Sequence, residues 1–416
     1  MSHSPAPATS LQRVVQALTG PDLAAVVDLV VWVEDGAAMA ANHLGCVRLH
    51  ADGRREVVAG EDPVPDTSPM AFLPHAGELA ARGPLVSTDN AYPYAAQRIL
   101  SLFADADRSP DLAVVHTPRH YFPDEGGHTG EHGSLDVIQS RAPLVLSGPG
   151  VQRLGLVEAH GRLVDVGPTL AVLAGVPEED LVDAEGASLD GVVLAAYLAD
   201  HPADGTVGPA APVHPRRVVG ILWDGAPCGE LLAMAEAGEL PGVARLIEHG
   251  LALTGGAVAE FPSVTLTNHT SILTGVGPGR HGVLGNVFYD RSTGERVVPN
   301  DAATWHRSAE WLRPSVRTVF EMVNDHAGER SSARTASVDE AIDRGADYGT
   351  MALLRQVGGF DAATGQGGVL PDAAASPFLT NPQHLGDSYF HWGCRSTTWV
   401  CSRCCSCGRT RRRRRP

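Results

Sequence analysis

Residues 259–286 read AEFPSVTLTNHTSILTGVGPGRHGVLGN. Thr265 stands just ahead of Asn268, His269 and the stretch SILTG (271–275), which has helical apolar spacing and a glycine stop. The spacing predicts Thr265 at, or just before, a helix N-terminus. Free backbone N–H groups and the helix dipole at such an end favour a phosphate or an alkoxide. A threonine hydroxyl is a weak nucleophile at its free pKa and needs a base or a metal to activate it. On residue type alone the commoner role is a Ser/Thr helix cap, so the surrounding chain has to decide.

Upstream, VVGIL (218–222) is a strand pattern with Asp224-Gly225 at its C-terminal end. Ligands of open α/β sheets bind beyond those ends. An Asp there can hold a metal while Gly permits the tight turn; taken alone, a turn Asp is the commoner reading. A helix follows over 229–250, broken near Leu240-Pro241 and stopped at Gly250.

These pieces occur together and in order: Asp224-Gly225, LPGVARLIEHG (240–250), FPSVTLTNH (261–269), SILTG, PGRHGVLGN (278–286) and RGADYGT (344–350). The set resembles the type I phosphodiesterase/nucleotide pyrophosphatase branch of the alkaline phosphatase superfamily. Strands alternating with helices along the chain imply an α/β fold with a layered, mostly parallel sheet flanked by helices, and the resemblance implies an alkaline-phosphatase-like core. It implies metal-dependent hydrolysis of phosphodiester or pyrophosphate bonds in a small-molecule phosphate ester or nucleotide, through a phospho-threonine intermediate. By the same resemblance, Thr265 is the nucleophile and touches metal, Asp224 is a metal ligand, and Asn286 donates a hydrogen bond to a phosphate oxygen. Two divalent ions, zinc by preference, are implied as cofactors. Where the family has Pro before Asn-His, this chain has Thr267, a departure expected to be tolerated. His269 and His281 are expected to shape loops rather than bind metal. A related phosphate-ester or phosphonate hydrolase, or an inactive truncated member that binds phosphate or metal weakly, is the alternative.

The family's remaining ligands follow the nucleophile as a D-x-x-x-H pair, a D-H pair and a lone His. Downstream of Thr265, Asp347 and the pair His384/Asp387 do not match those patterns. Upstream, GEHGS (130–134), followed by SRAPLVLSGPGV (140–151) and VDVGPTLAVLAGV (164–176), resembles the superfamily's closing segment. That resemblance makes His132 the lone-His ligand, and PDEGGHTG (123–130) supplies Asp124 and His128 as a D-x-x-x-H pair. Three such side chains on one Gly-rich loop can converge on a metal; a solvated loop is the other reading. The closing segment thus precedes the opening one. Either the fold is permuted, or the N-terminal lobe is a partner domain with a similar core.

Around these motifs, AAVVDLVVWVEDG (24–36) reads as a buried strand, and 46–60 as a hairpin turning at Asp52-Gly53. Helices are expected over 95–106 and 164–176, and buried strands over 111–118 and 142–151. The organisation expected is an N-terminal α/β lobe over 1–198, a Pro/Gly/Ala-rich linker over 199–215, a nucleophile lobe over 216–380 and a Cys/Arg-rich tail over 381–416. The net charge of -16 argues against nucleic acid as a partner. No run of 18 apolar residues occurs, so no membrane span is expected. The start MSHSPAPATSLQRVV lacks a signal-peptide pattern, and Cys46 and Cys228 are isolated in the body, so the expected compartment is the cytoplasm. Oligomeric state is not legible. In the tail, C-x2-C-C-x-C over 401–407 is not a standard zinc spacing. One synonymous codon set for 394–409, read one base earlier, encodes VQVDDLGVQQVLQLWE, an amphipathic helix pattern. A shifted reading frame near Gly393 is therefore expected, and it would remove the downstream ligand motifs.

Overall fold

The computed structural model describes residues 10–64, 91–117, 132–199, 215–301, 304–328, 334–356, 360–361 and 366–367. The apolar run near the N-terminus folds as β1 (Val27–Glu34) and returns as β2 (Ala37–Ala41), through Asp35 and Gly36 at φ 51° and 74°. A second hairpin, β3 (Gly45–Leu49) and β4 (Arg55–Gly60), turns where expected, with Gly53 at φ 86°. With β5 (Ala113–His116) they form a sheet of order β4-β3-β2-β1-β5, antiparallel at every pairing. Side chains of β1 alternate between two faces, and each face has its own cover. Val30 and Trp32 pack against Leu11, Val15 and Leu18 of α1 (Ser10–Leu18). Leu29 and Val31 pack against Ile99 and Leu102 of α2 (Ala95–Leu102). Burial on both faces explains why the stretch is apolar throughout rather than alternating.

A second body of structure is built from both sides of the 199–215 stretch. Strands β6 (Arg141–Ala142), β7 (Val145–Ser147), β8 (Gly155–Val157) and β9 (Gly161–Arg162) precede it; β10 (Gly250–Leu253) and β11 (Ala257–Val258) follow it. β10 lies between β7 and β8, and β11 between β6 and β9. Each central strand is antiparallel to one neighbour and parallel to the other. Leu144, Leu163 and Leu173 share one core with Leu251, Leu253, Leu266 and Ile272. The segment expected to close the fold and the segment expected to open it therefore interleave in common sheets.

The fold is mixed α/β, as expected, but the mostly parallel layered sheet is not what these pairings form. Among the described residues antiparallel pairings predominate. Parallel ones join β10 to β8, β11 to β9, and Ala336–Ser337 to Tyr348–Gly349. The physical reason lies in the segment read as a leading strand. Residues 217–223 are in no strand. Val218 and Leu222 turn onto the core, while Val219 and Ile221 are 75% and 80% exposed. The alternation of a strand is present without a ladder.

The expected helix after Asp224 is two helices, α3 (Cys228–Glu236) and α4 (Pro241–Glu248), with Pro241 at the first position of the second. Proline has no N–H to donate there, so the break falls at Leu240. Two further helices meet under the site. α5 (Thr265–Thr274) begins after extended Val264 and ends at Gly275 at φ 69°. It packs on the Val166–Leu173 helix, where a Cβ on Gly167 would stand 2.3 Å from the Ile272 carbonyl oxygen. Only glycine lets the two backbones approach so closely.

Candidate active site

Thr265 is the first residue of α5, where a helix leaves backbone N–H groups without intrahelical acceptors. The segment TLTNHTSILT has poor helix propensity, being rich in Thr, Ser and Asn. Side-chain bonds and burial hold it instead. The Thr270 hydroxyl donates to the Leu266 carbonyl at 2.6 Å and the Thr274 hydroxyl to the Thr270 carbonyl at 2.7 Å. Asn268 fastens the helix start to the incoming loop. Its Oδ1 accepts from the Glu260 N–H at 2.7 Å, and its Nδ2 donates to the Pro262 and Val264 carbonyls.

Facing Thr265 is Asp224, carried by the turn at 224–225, with Gly225 at φ 71°. Thr265 Oγ1 lies 3.5 Å from both carboxylate oxygens. That is long for a direct O–H···O bond, which prefers about 2.7–2.8 Å. It is close to the separation of two oxygen ligands at a tetrahedral cation, about 3.4 Å for metal–oxygen distances near 2.1 Å. Spacing and donor chemistry therefore fit one edge of a divalent-cation site. Among the described residues no cluster of three His, Cys, Asp or Glu side chains completes it.

Of the other sequence candidates, Asp124 and His128 lie outside the described residues. His132 is exposed, and the chain beside it is stitched to the loop that leads into Thr265. The Gly133 N–H donates to Ser263 Oγ at 3.0 Å, and Ser263 Oγ donates to the Ser134 carbonyl at 2.9 Å. The Asn286 amide makes no hydrogen bond among the described residues, and its Oδ1 is enclosed without a partner. Thr267, the departure from the family pattern, is fully buried with an unpartnered hydroxyl. It is third in the helix, where proline would forfeit no intrahelical bond.

Two features escaped the sequence reading. Beneath the loop that leads into Thr265 lies a buried charge network. Glu260, fully enclosed, pairs with Arg162 at 2.7 Å. Burial pushes its carboxyl up, with Arg162 and Arg98 pulling the other way. Arg98, also fully enclosed, donates to the Leu135 carbonyl and to Ser140 Oγ, each at 2.6 Å. Burial lowers its guanidinium to about 10 against the raising charges of Glu260 and Asp136. The second feature is the pair His269–Glu340, 2.8 Å apart. The signal for it was the four-residue step from Thr265 to His269, one helix turn; Glu340, 71 positions further on, had none. His281, by contrast, is wholly buried against Ser271 and the Val283 N–H, and burial holds it neutral, down at about 3.

Residues 218–342, which carry Asp224, Thr265, Asn286, His269 and Glu340, match the family described as Type I phosphodiesterase / nucleotide pyrophosphatase. Over that segment the chain resembles this branch of the alkaline phosphatase superfamily, a class of phosphodiesterase and pyrophosphatase hydrolases. Among curated proteins, it is 36% identical over 75 residues to an uncharacterized pyrophosphatase/phosphodiesterase of Schizosaccharomyces pombe, covering 16% of each chain. It is 38% identical over 55 residues to ectonucleotide pyrophosphatase/phosphodiesterase 2 of Saccharomyces cerevisiae, covering 13% of this chain and 11% of the relative. It is 34% identical over 113 residues to alkaline phosphatase PafA of Elizabethkingia meningoseptica, covering 27% of this chain and 19% of the relative. The chain thus spans less than a fifth of the length of each of these relatives. No solved structure matches.

Proposed function

We propose that the protein hydrolyses phosphodiester or pyrophosphate bonds of nucleotide-type substrates, with Thr265 as the nucleophile. The observation that carries this reading is the Thr265 hydroxyl at the start of α5, equidistant at 3.5 Å from both oxygens of Asp224. Thr265 Oγ, its proton released to solvent, forms a bond to phosphorus as the bond to the leaving oxygen breaks and that oxygen takes up a proton; water then adds to phosphorus, breaks the bond to Thr265 Oγ and restores its hydroxyl. Asp224 orients the hydroxyl. The first-turn N–H groups of α5 and the amide of Asn286 are the donors for the non-bridging oxygens, where negative charge grows. Asp224 and Thr265 would hold one divalent ion, and His132, Asp124 and His128 are the further donors proposed for a two-zinc site. Bound zinc supplies a lowered pKa at the nucleophile and charge stabilisation at the leaving oxygen.

A second reading is favoured by one observation. Among the described residues no group of three His, Cys, Asp or Glu side chains is placed to hold a metal ion beside Asp224 and Thr265. A chain with an incomplete ligand set would bind phosphate without turning over. The test is hydrolysis of bis(p-nitrophenyl) phosphate by the full chain with added zinc. Thr265→Ala is expected to lower kcat/KM by roughly 1,000-fold or more while circular dichroism is unchanged. Turnover that survives Thr265→Ala overturns the nucleophile; absence of turnover in the parent chain favours the second reading.

A further inference from the structure

Helix α5 is buried at every position but His269. His269 follows Thr265 by four residues, so the two stand on one helix face with Cβ atoms about 5–6 Å apart. Its Nδ1 lies 2.8 Å from Glu340 Oε2, and the side chains are 15% and 10% exposed. Glu340 is itself fixed, since its Oε1 accepts from the Ile342 N–H at 3.2 Å. The neighbouring Asp339 main chain is tied by its N–H to Thr350 Oγ1 at 2.8 Å. With Nδ1–H committed to Glu340, the plane of the ring is set, and Nε2 makes no hydrogen bond among the described residues.

Burial by itself would push the His269 imidazole down. The charge and hydrogen bond of Glu340, and then the charge of Asp224, outweigh it and hold the ring above its ordinary value. The acids acting there are Glu340 and Asp224, with Asp339 beside Glu340 in the chain. A phosphoryl group brought to Thr265 meets the negative charge of Asp224. An imidazolium on the same helix face offsets that repulsion and offers a directed N–H.

We propose that His269, locked by Glu340, is a binding residue of this site, whose Nε2–H donates to a non-bridging oxygen of the phosphoryl group at Thr265. The proposal rests on Thr265 marking the phosphoryl position, and its test uses binding rather than turnover. Inorganic phosphate is titrated into the full chain while the imidazole nitrogens are followed by long-range 1H–15N NMR. The His269 signals are expected to shift saturably, in the parent chain and in Thr265→Ala alike. His269→Gln is expected to weaken phosphate binding about tenfold by calorimetry, with Glu340→Gln weakening it less. A His269 signal that stays still as phosphate binds overturns the proposal. So does phosphate affinity unchanged in His269→Gln, or no phosphate binding by the parent chain. If His269→Gln does not fold, the parent resonance decides alone. Turnover that survives Thr265→Ala would remove the nucleophile assignment while leaving a phosphate-dependent His269 shift in place.

Discussion

Asp339 illustrates what a single residue stores beside the site. Its backbone sits at φ 55°, a conformation few non-glycine residues adopt. Its carboxyl is raised to about 6, first by burial and then by the charge of Glu340. An unfolded Asp titrates near 3.9. The unfolded chain therefore loses this proton first, and stability contributed by the protonated group is lost as pH rises from about 4 to about 6. Asp339→Asn keeps a residue that tolerates left-handed backbone and removes the charge. It is expected to raise the urea midpoint at pH 8 by the equivalent of about 1–2 kcal/mol, after allowing for solvent screening, and to leave it unchanged at pH 4. An equal effect at both pH values would show that the charge is not the cause.

At the scale of elements, α5 is a helix by context. Its Thr- and Ser-rich sequence would not hold a helix in isolation. The Asn268 bonds to the loop before it, the back-bonded hydroxyls and the tight fit against the Val166–Leu173 helix supply what propensity lacks. Gly167 is the contact point, since a methyl group there would meet the Ile272 carbonyl oxygen at 2.3 Å. Gly167→Ala must push α5 outward, and it is expected to cost about 2–4 kcal/mol in urea denaturation. Because Thr265 heads the displaced helix, activity is expected to fall more than the folded fraction does. The Arg162–Glu260 pair works from the other side, joining β9 to the loop that precedes Thr265. Breaking one partner would leave an unpaired charge in the core, where such loss costs about 3–5 kcal/mol.

For the whole molecule, the consequential feature is that β10 and β11 each lie between strands drawn from residues 141–162. The same interleaving brings the chain after His132 against Ser263. Metal binding belongs to this scale, because its proposed donors come from both sides of the 199–215 stretch. Equilibrium dialysis of the full chain against zinc is expected to give two ions per chain. Asp224→Asn and His132→Ala are each expected to lower the count. Zinc at about a hundred times its dissociation constant is expected to stabilise the folded chain by about 2.7 kcal/mol for each ion bound. No zinc uptake, or uptake indifferent to both substitutions, would remove the two-ion proposal.

By itself the sequence determined the chemistry-bearing segment and its resemblance. Asp224-Gly225, the helix beginning at Thr265 and the break at Leu240-Pro241 are local signals: a turn glycine, a run of helical spacing and a proline. The hairpin over 46–60 was legible for the same reason, since Asp52-Gly53 is a turn written in adjacent residues, whereas 24–36 was read only as a strand and its return through Asp35-Gly36 into β2 was not. Tertiary structure alone decided what those segments meet. The seating of β10 and β11 between strands from 141–162 and the partnerships Arg162–Glu260 and His269–Glu340 join residues tens of positions apart. Periodicity reports which face of an element is apolar. It carries no address for the side chain that will cover that face, and pairing of charges or strands across such distances is settled only when the chain closes on itself.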